Sequence, residues 1–275
     1  MAALGAFLAA LGVADAFRDT NTAGISSARR SAALAAGLLT LAALLAASGT
    51  PPLTMIGLGT ALALLLAVWT LIDIIASVTS KTTARSAAFL AIATGTVVAL
   101  LFADDGPSTW PGWIPGPLST FAPSQLILVG GIAIAQVTTA NVLVRLILEA
   151  VNVPTKEGSD RLRSGRVLGP MERLFILGLG LAGNLTAAAV VVGAKGLLRF
   201  PELAASESNV RAAASPIIIQ TSAKNASGTE VEVDPPPTPP LHQGPNPVTE
   251  YFLIGSFASW LIALAGLGLA MLVSS

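Results

Sequence analysis

The sequence predicts an all-α polytopic membrane protein of about seven transmembrane helices, N-terminus outside and C-terminus inside, with a small extracytoplasmic β-hairpin inserted late in the chain. Three observations predict it. Of 275 residues, 53% are hydrophobic and only 11% are charged, against about 25% charged in an ordinary soluble domain. The apolar residues gather into stretches long enough to cross a bilayer. The loops between those stretches alternate between basic and charge-poor, the pattern that sets orientation in membranes.

The stretches run over roughly 2–17, 31–49, 53–78, 86–103, 125–150, 172–198 and 250–273. The first resembles a signal peptide in length but lacks a positive n-region; its basic neighbour, Arg18, follows the apolar run. It reads as a helix of ~25 Å, short for a hydrocarbon core of ~30 Å. The third is long enough to tilt. Loop 18–30 carries Arg18, Arg29 and Arg30, loop 79–85 carries Lys81 and Arg85, and loop 151–173 carries Lys156, Arg161, Arg163, Arg166 and Arg173. Loops 50–52 and 104–124 have no basic residue. The first, third and fifth loops are therefore cytoplasmic. Parity then puts loop 199–249 outside despite Arg199, Arg211 and Lys224, an exception that long loops tolerate. In loop 104–124, Trp110, Trp113 and Phe121 suit an aromatic belt at the outer headgroups.

The chain divides into 1–198, six helices of a membrane bundle; 199–249, an extracytoplasmic loop; and 250–275, the seventh helix. Within the loop, the run after Pro216, the turn around Asn225 to Gly228, and the alternation Val231, Glu232, Val233, Asp234 read as strand, turn, strand. A Pro-rich extended segment follows. An isolated hairpin is marginal, so this one needs the bundle, a second copy or a protein partner.

Ionisable groups in membrane helices are costly, by roughly 2.5–3.5 kcal/mol at the helix centre. Topology gathers Asp15, Asp73, Arg145, Glu149, Glu172 and Arg173 toward the cytoplasmic face, with Arg145 and Glu149 at i and i+4. They form either an ion-pair layer that fixes helix register or a polar cavity for a substrate or proton. Gln136, Thr138, Thr139 and Asn141 in the fifth stretch either line a path or bond to neighbouring helices. Lys195, Arg199, Glu202, Glu250 and Tyr251 meet at the outer boundary, as a clamp or as a site for a headgroup or partner. Gly178, Gly180 and Gly183 spell G-x-G-x-x-G, but inside an apolar helix with no preceding strand, so they serve helix packing and not a nucleotide.

The chemistry excluded is broad. With no cysteine, disulfides, iron–sulfur clusters and thiolate metal sites are ruled out. The single histidine, His242, sits in the Pro-rich loop, so intramembrane His-based zinc or Ser-His-Asp chemistry is excluded. No catalytic or metal-binding residue and no cofactor is expected. Zero net charge gives no attraction to nucleic acid. The expected surroundings are the lipid bilayer and a protein partner or second copy bound through loop 199–249.

Gly165-Arg166 through Gly169 to Glu172-Arg173, Ala194-Lys195 through Arg199-Phe200, and Glu250-Tyr251 through Gly255-Ser256 resemble the GRxxGxxER, AKxxxRF and EYxxIG[ST] signature of an uncharacterised family of bacterial polytopic inner-membrane proteins. The resemblance covers about 165–259 apart from the hairpin insertion. Gly196 stands where the family has Ser, and the connection between RF and EY is expanded here. It implies a fold and a bacterial plasma-membrane location, and no reaction. The expected function is that of an accessory or assembly subunit of a membrane complex, in keeping with the hairpin. The alternatives are a secondary transporter or channel for a small solute, and last a lipid-acting membrane enzyme, for which no clustered carboxylates are seen. The sequence offers no inverted repeat and no clearly broken helix pair in favour of transport.

Overall fold

A computed structural model describes residues 1–18, 27–49, 51–72, 75–76, 79–102, 122–151, 165–194, 197 and 247–274. Among these all regular structure is helical: α1 Ala2–Arg18, α2 Ser27–Ala47, α3 Pro52–Thr70, α4 Lys81–Leu101, α5 Pro123–Val137, α6 Thr139–Ala150, α7 Gly165–Leu181, α8 Leu185–Ala194 and α9 Pro247–Ser274. The expected hairpin and Pro-rich segment lie outside the described residues, as does the 104–121 part of the aromatic loop.

Local signals set the helix starts. Pro52 and Pro123 occupy first-turn positions, where a missing N–H costs nothing. Ser80 caps α4 by accepting from the Thr83 N–H at 3.1 Å. The end of α7 is a Schellman motif: Asn184 N–H donates to Leu179 O at 2.8 Å, Gly183 N–H to Gly180 O at 3.0 Å, and Gly183 takes φ +76°. The sixth stretch, expected as one run over 172–198, is thus interrupted at its middle.

The short first helix is the centre of the bundle. It packs along α2 and α5 and also touches α3, α4 and α6. Thirteen of its 17 residues are buried, because Ala and Gly on every side admit neighbours at close range. Gly5 lies on the backbone of Ile127 and Leu128, and Gly131 lies against the Gly5 carbonyl. The outer helices show the reverse pattern. On α2 only Ala33, Gly37, Leu41 and Leu45, one stripe, are buried. Leu39, Leu53, Leu64, Leu90, Leu101, Phe257 and Leu264 are all more than half exposed. An apolar coat over a small-residue interior suits lipid as the solvent. Among the described residues four helices are long and apolar enough to cross a membrane, and five if α5 and α6 count as one span, which supports a helical membrane protein.

Contact pairs give the directions. α1 runs parallel to α5, since Gly5 meets Leu128 and Gly12 meets Thr138. α9 runs antiparallel to α5 and α6, since Gly266 meets Ile132 and Gly255 meets Leu148. Arg173 reaches Ser259 and Gly180 meets Leu267, so α7 and α9 are parallel. Simple alternation makes consecutive spans antiparallel, so the parallel pair α7 and α9 departs from a plain alternation of crossings. The start of α1 and the end of α9 lie at the same end of the bundle. Pro247 begins α9 at the end where α7 begins, which is also the end of the basic loops.

Candidate functional site

The fifth span is interrupted at its centre. α5 and α6 meet at Thr138 with a bend of 46°, so this stretch is a broken helix pair. Neither Pro nor Gly stands at the break. Instead Thr138 (φ −114°, ψ −66°) turns its hydroxyl to Gly12 O on α1 at 2.8 Å and to Ile134 O at 3.0 Å. A carbonyl freed from a helix ladder must find another donor. Gln136 O finds Nε of Arg173 on α7, at 2.8 Å.

Arg173 is 2% exposed. Its guanidinium also donates to Ser259 Oγ on α9 at 2.8 Å and to Asn141 Oδ1 on α6. All three acceptors are neutral. The buried carboxylate of its chain neighbour Glu172 acts on it electrostatically. The Gln136 side chain runs the other way, donating from Nε2 to Ile262 O at 2.9 Å. It occupies space that a side chain at Gly266 would fill. Among the described residues its Oε1 is buried without a hydrogen-bond partner, and the buried Thr139 Oγ1 has the Asp15 carboxylate as its polar neighbour.

On the opposite flank of α6, Asp15 is enclosed where α1 meets α3. Both its carboxylate oxygens accept from the Trp69 indole N–H, at 3.0 and 3.1 Å. Arg18 NH1 lies 3.3 Å from Oδ1 and donates to Trp69 O at 3.2 Å. The Thr139 hydroxyl stands beside this carboxylate. The break therefore has a buried cation on one flank and a buried, paired carboxylate on the other.

The expected inner charge layer is brought together only in part. Asp15, Glu172 and Arg173 are buried. Arg145 is exposed. Glu149 pairs not with Arg145 but with Arg85 on α4, at 3.8 Å to Nε, and Arg85 NH1 donates to Glu149 O at 3.1 Å. Asp73 lies outside the described residues, as do Lys195, Arg199 and Glu202, and so do the side chains of Glu250 and Tyr251. Trp69, Arg85 and Ser259 are partners that the sequence reasoning missed. A lone Trp at the inner end of an apolar span, level with Asp15, was the available signal for the first. Among the described residues no three His, Asp or Glu side chains come close enough to hold a metal. Of the three glycines of the G-x-G-x-x-G run, Gly180 receives Leu267 and Gly183 ends the helix; both roles concern packing and termination.

A separate open groove of about 390 Å³ lies between α6 and α9, lined by Ile147, Ile254, Phe257, Leu261 and Ile262 among others. It is apolar and distinct from the polar break. Fold and site together define a helical membrane protein with an interrupted span and a buried polar centre. No protein-family model, no curated protein and no solved structure matches the chain.

Proposed function

We propose that this is a multi-pass protein of the bacterial plasma membrane that moves a small solute, as a secondary transporter or channel, with the α5–α6 break as its site. The observation that carries the reading is the interrupted span with the buried Arg173 bonded to its Gln136 carbonyl. Solute sites in transporters lie at discontinuous helices, where freed backbone groups and helix ends face the ligand. Irregular backbone at membrane depth otherwise persists only where protein or a water-filled cavity receives it.

The same reading replaces seven crossings by six, with α7 and α8 as a re-entrant pair turning at Gly183. α7 and α9 are parallel, and residues 199–246 contain no apolar run of crossing length, so α8 must carry the chain back. Arg199, Arg211 and Lys224 then follow a segment returning to the basic side, as the charge rule asks. The resemblance over 165–259 falls on this pair and on α9, and supports the bacterial location in this reading.

One observation favours a second reading, the accessory subunit. The apolar groove between α6 and α9 has the shape to receive a helix of a partner. The test is reconstitution of the purified protein into liposomes and measurement of flux for a panel of small anions, cations and neutral solutes. Flux of one class above that of protein-free liposomes is expected. No flux, with a stoichiometric second protein co-purifying from native membranes in mild detergent, would replace transport by the accessory reading.

A further inference from the structure

We infer that α6 is a gate: it pivots at Thr138, is held away from α9 by an ion-pair latch between Arg85 and Glu149, and swings onto α9 when that latch opens. The inference rests on the transport reading for its purpose and adds how access to the site is regulated. A pivot, a latch and room to move all belong to this one helix. The pivot is the 46° bend, where the α5 ladder gives out and Gln136 O turns to Arg173. The room lies on the α9 side. Val144 and Leu148 reach α9 at Gly255, and beside them the groove of about 390 Å³ opens between Ile147 and the Phe257 and Leu261 side chains. Packed interiors hold few voids larger than a water molecule, so a groove of this size along a hinged helix is space that the helix can enter. The latch lies on another face. Glu149 stands about 200° round the helix from Ile147, where Arg85 Nε is 3.8 Å from its Oε2 and Arg85 NH1 donates to its carbonyl at 3.1 Å. Both side chains are partly exposed, and ion pairs in contact with solvent are weak, as a latch that opens must be. The lever favours the latch end. Glu149 is about 16 Å along the axis from Thr138 and Asn141 about 4.5 Å. A swing of about 10° therefore carries Glu149 by about 3 Å, enough to break the pair, and Asn141 by less than about 1 Å, so its bond to Arg173 survives.

The test uses the full chain in mild detergent, where the absence of native cysteine allows site-specific labelling. Spin labels at Val151→Cys and Leu253→Cys, both exposed where α6 ends and α9 begins, measure the width of the groove by pulsed electron spin resonance. Labels at Leu90→Cys and Leu264→Cys, exposed on α4 and α9, follow the rest of the bundle. Arg85→Gln removes the charge and both latch contacts. It is expected to shorten the distance between the labels at 151 and 253 by about 3 Å or more and to leave that between 90 and 264 unchanged. An unaltered distance from 151 to 253, or an equal change in both pairs, overturns the inference. A second measurement keeps the latch residues intact. Ile147→Cys and Ala258→Cys both line the groove, and oxidation is expected to join them several-fold faster in about 1 M sodium chloride, where charges are screened beyond ~3 Å, than at low salt. No disulfide, or a rate that salt does not raise, overturns the inference too. A moving α6 in a protein without flux keeps the hinge and sinks transport; flux through a protein whose α6 stays fixed does the opposite.

Discussion

The indole N–H of Trp69 lies 3.0 and 3.1 Å from the two carboxylate oxygens of Asp15, so one donor on α3 is shared by both oxygens of a buried acid on α1. Arg18 completes the arrangement from the next turn of α1 and bonds back to the Trp69 carbonyl. The central helix is thereby tied at its polar end to α3, fifty-odd residues further along the chain.

This tie is coupled, and the coupling is measurable. Trp69→Phe removes one donor to a charged acceptor and should cost about 1–3 kcal/mol. Arg18→Gln leaves the buried carboxylate without its ion-pair partner and should cost about 3–5 kcal/mol. Adding Asp15→Asn to Arg18→Gln should recover part of that loss, because the uncompensated charge goes too. Unfolding midpoints of the two singles and the double, in one detergent, decide it. Strictly additive losses would mean that Asp15 and Arg18 do not act as a pair.

The contact between α1 and α5 depends on the absence of two side chains. A Cβ at Gly131 would overlap the Gly5 carbonyl, which is backbone and cannot rotate away, whereas a Cβ at Gly130 meets nothing within 4 Å. Gly131→Ala should therefore destabilise by about 1–3 kcal/mol as the helices separate. Gly130→Ala should leave stability unchanged or slightly improved, since Ala favours a helix. Equal behaviour of the two variants would show that the helices do not approach this closely.

Much of this architecture is legible in the sequence, and the rest is hidden for identifiable reasons. The apolar spans and the polar run Gln136 to Asn141 are visible because composition alone marks them. The central position of α1 is less visible, although a helix made of Ala, Gly and Leu on every face, with no polar side, is the signature of one enclosed all round. The break at Thr138 has no local signal, because no Pro or Gly causes it. It is held by Thr138 bonding to Gly12 and by Arg173 bonding to Gln136, both over long sequence separations. The pairing of Glu149 with Arg85 rather than Arg145 has the same origin: i,i+4 spacing permits a pair, and a neighbouring helix supplies another.

The stop at Gly183 makes its own prediction. Its φ of +76° is left-handed, and a residue with a Cβ pays roughly 1–2 kcal/mol there. Gly183→Ala should lower stability by about that amount or straighten α7 into α8, while Gly178→Ala, at an open helical position, should not. Unfolding midpoints of both variants decide it. A Gly183→Ala protein indistinguishable from wild type would show that the turn at Gly183 does not depend on glycine.

The directions of α1 and α9 lead to the last prediction. α1 is parallel to α5, and α9 is antiparallel to it, so Ala2 and Ser274 end up on one side and the basic loops on the other. If the basic side is cytoplasmic, both chain ends face out. The absence of native cysteine makes this directly testable by single-cysteine labelling with a membrane-impermeant maleimide on intact cells. Ala2→Cys and Ser274→Cys should label without permeabilisation, and Ser27→Cys, at the start of α2 on the basic side, should label only after it. Thr249→Cys, near the start of α9, should follow Ser27→Cys. If Ser274→Cys is protected and Thr249→Cys is open, α7 and α9 alternate as in a simple seven-span protein. The re-entrant turn at Gly183 would then fall with the parallel packing of Arg173 on Ser259.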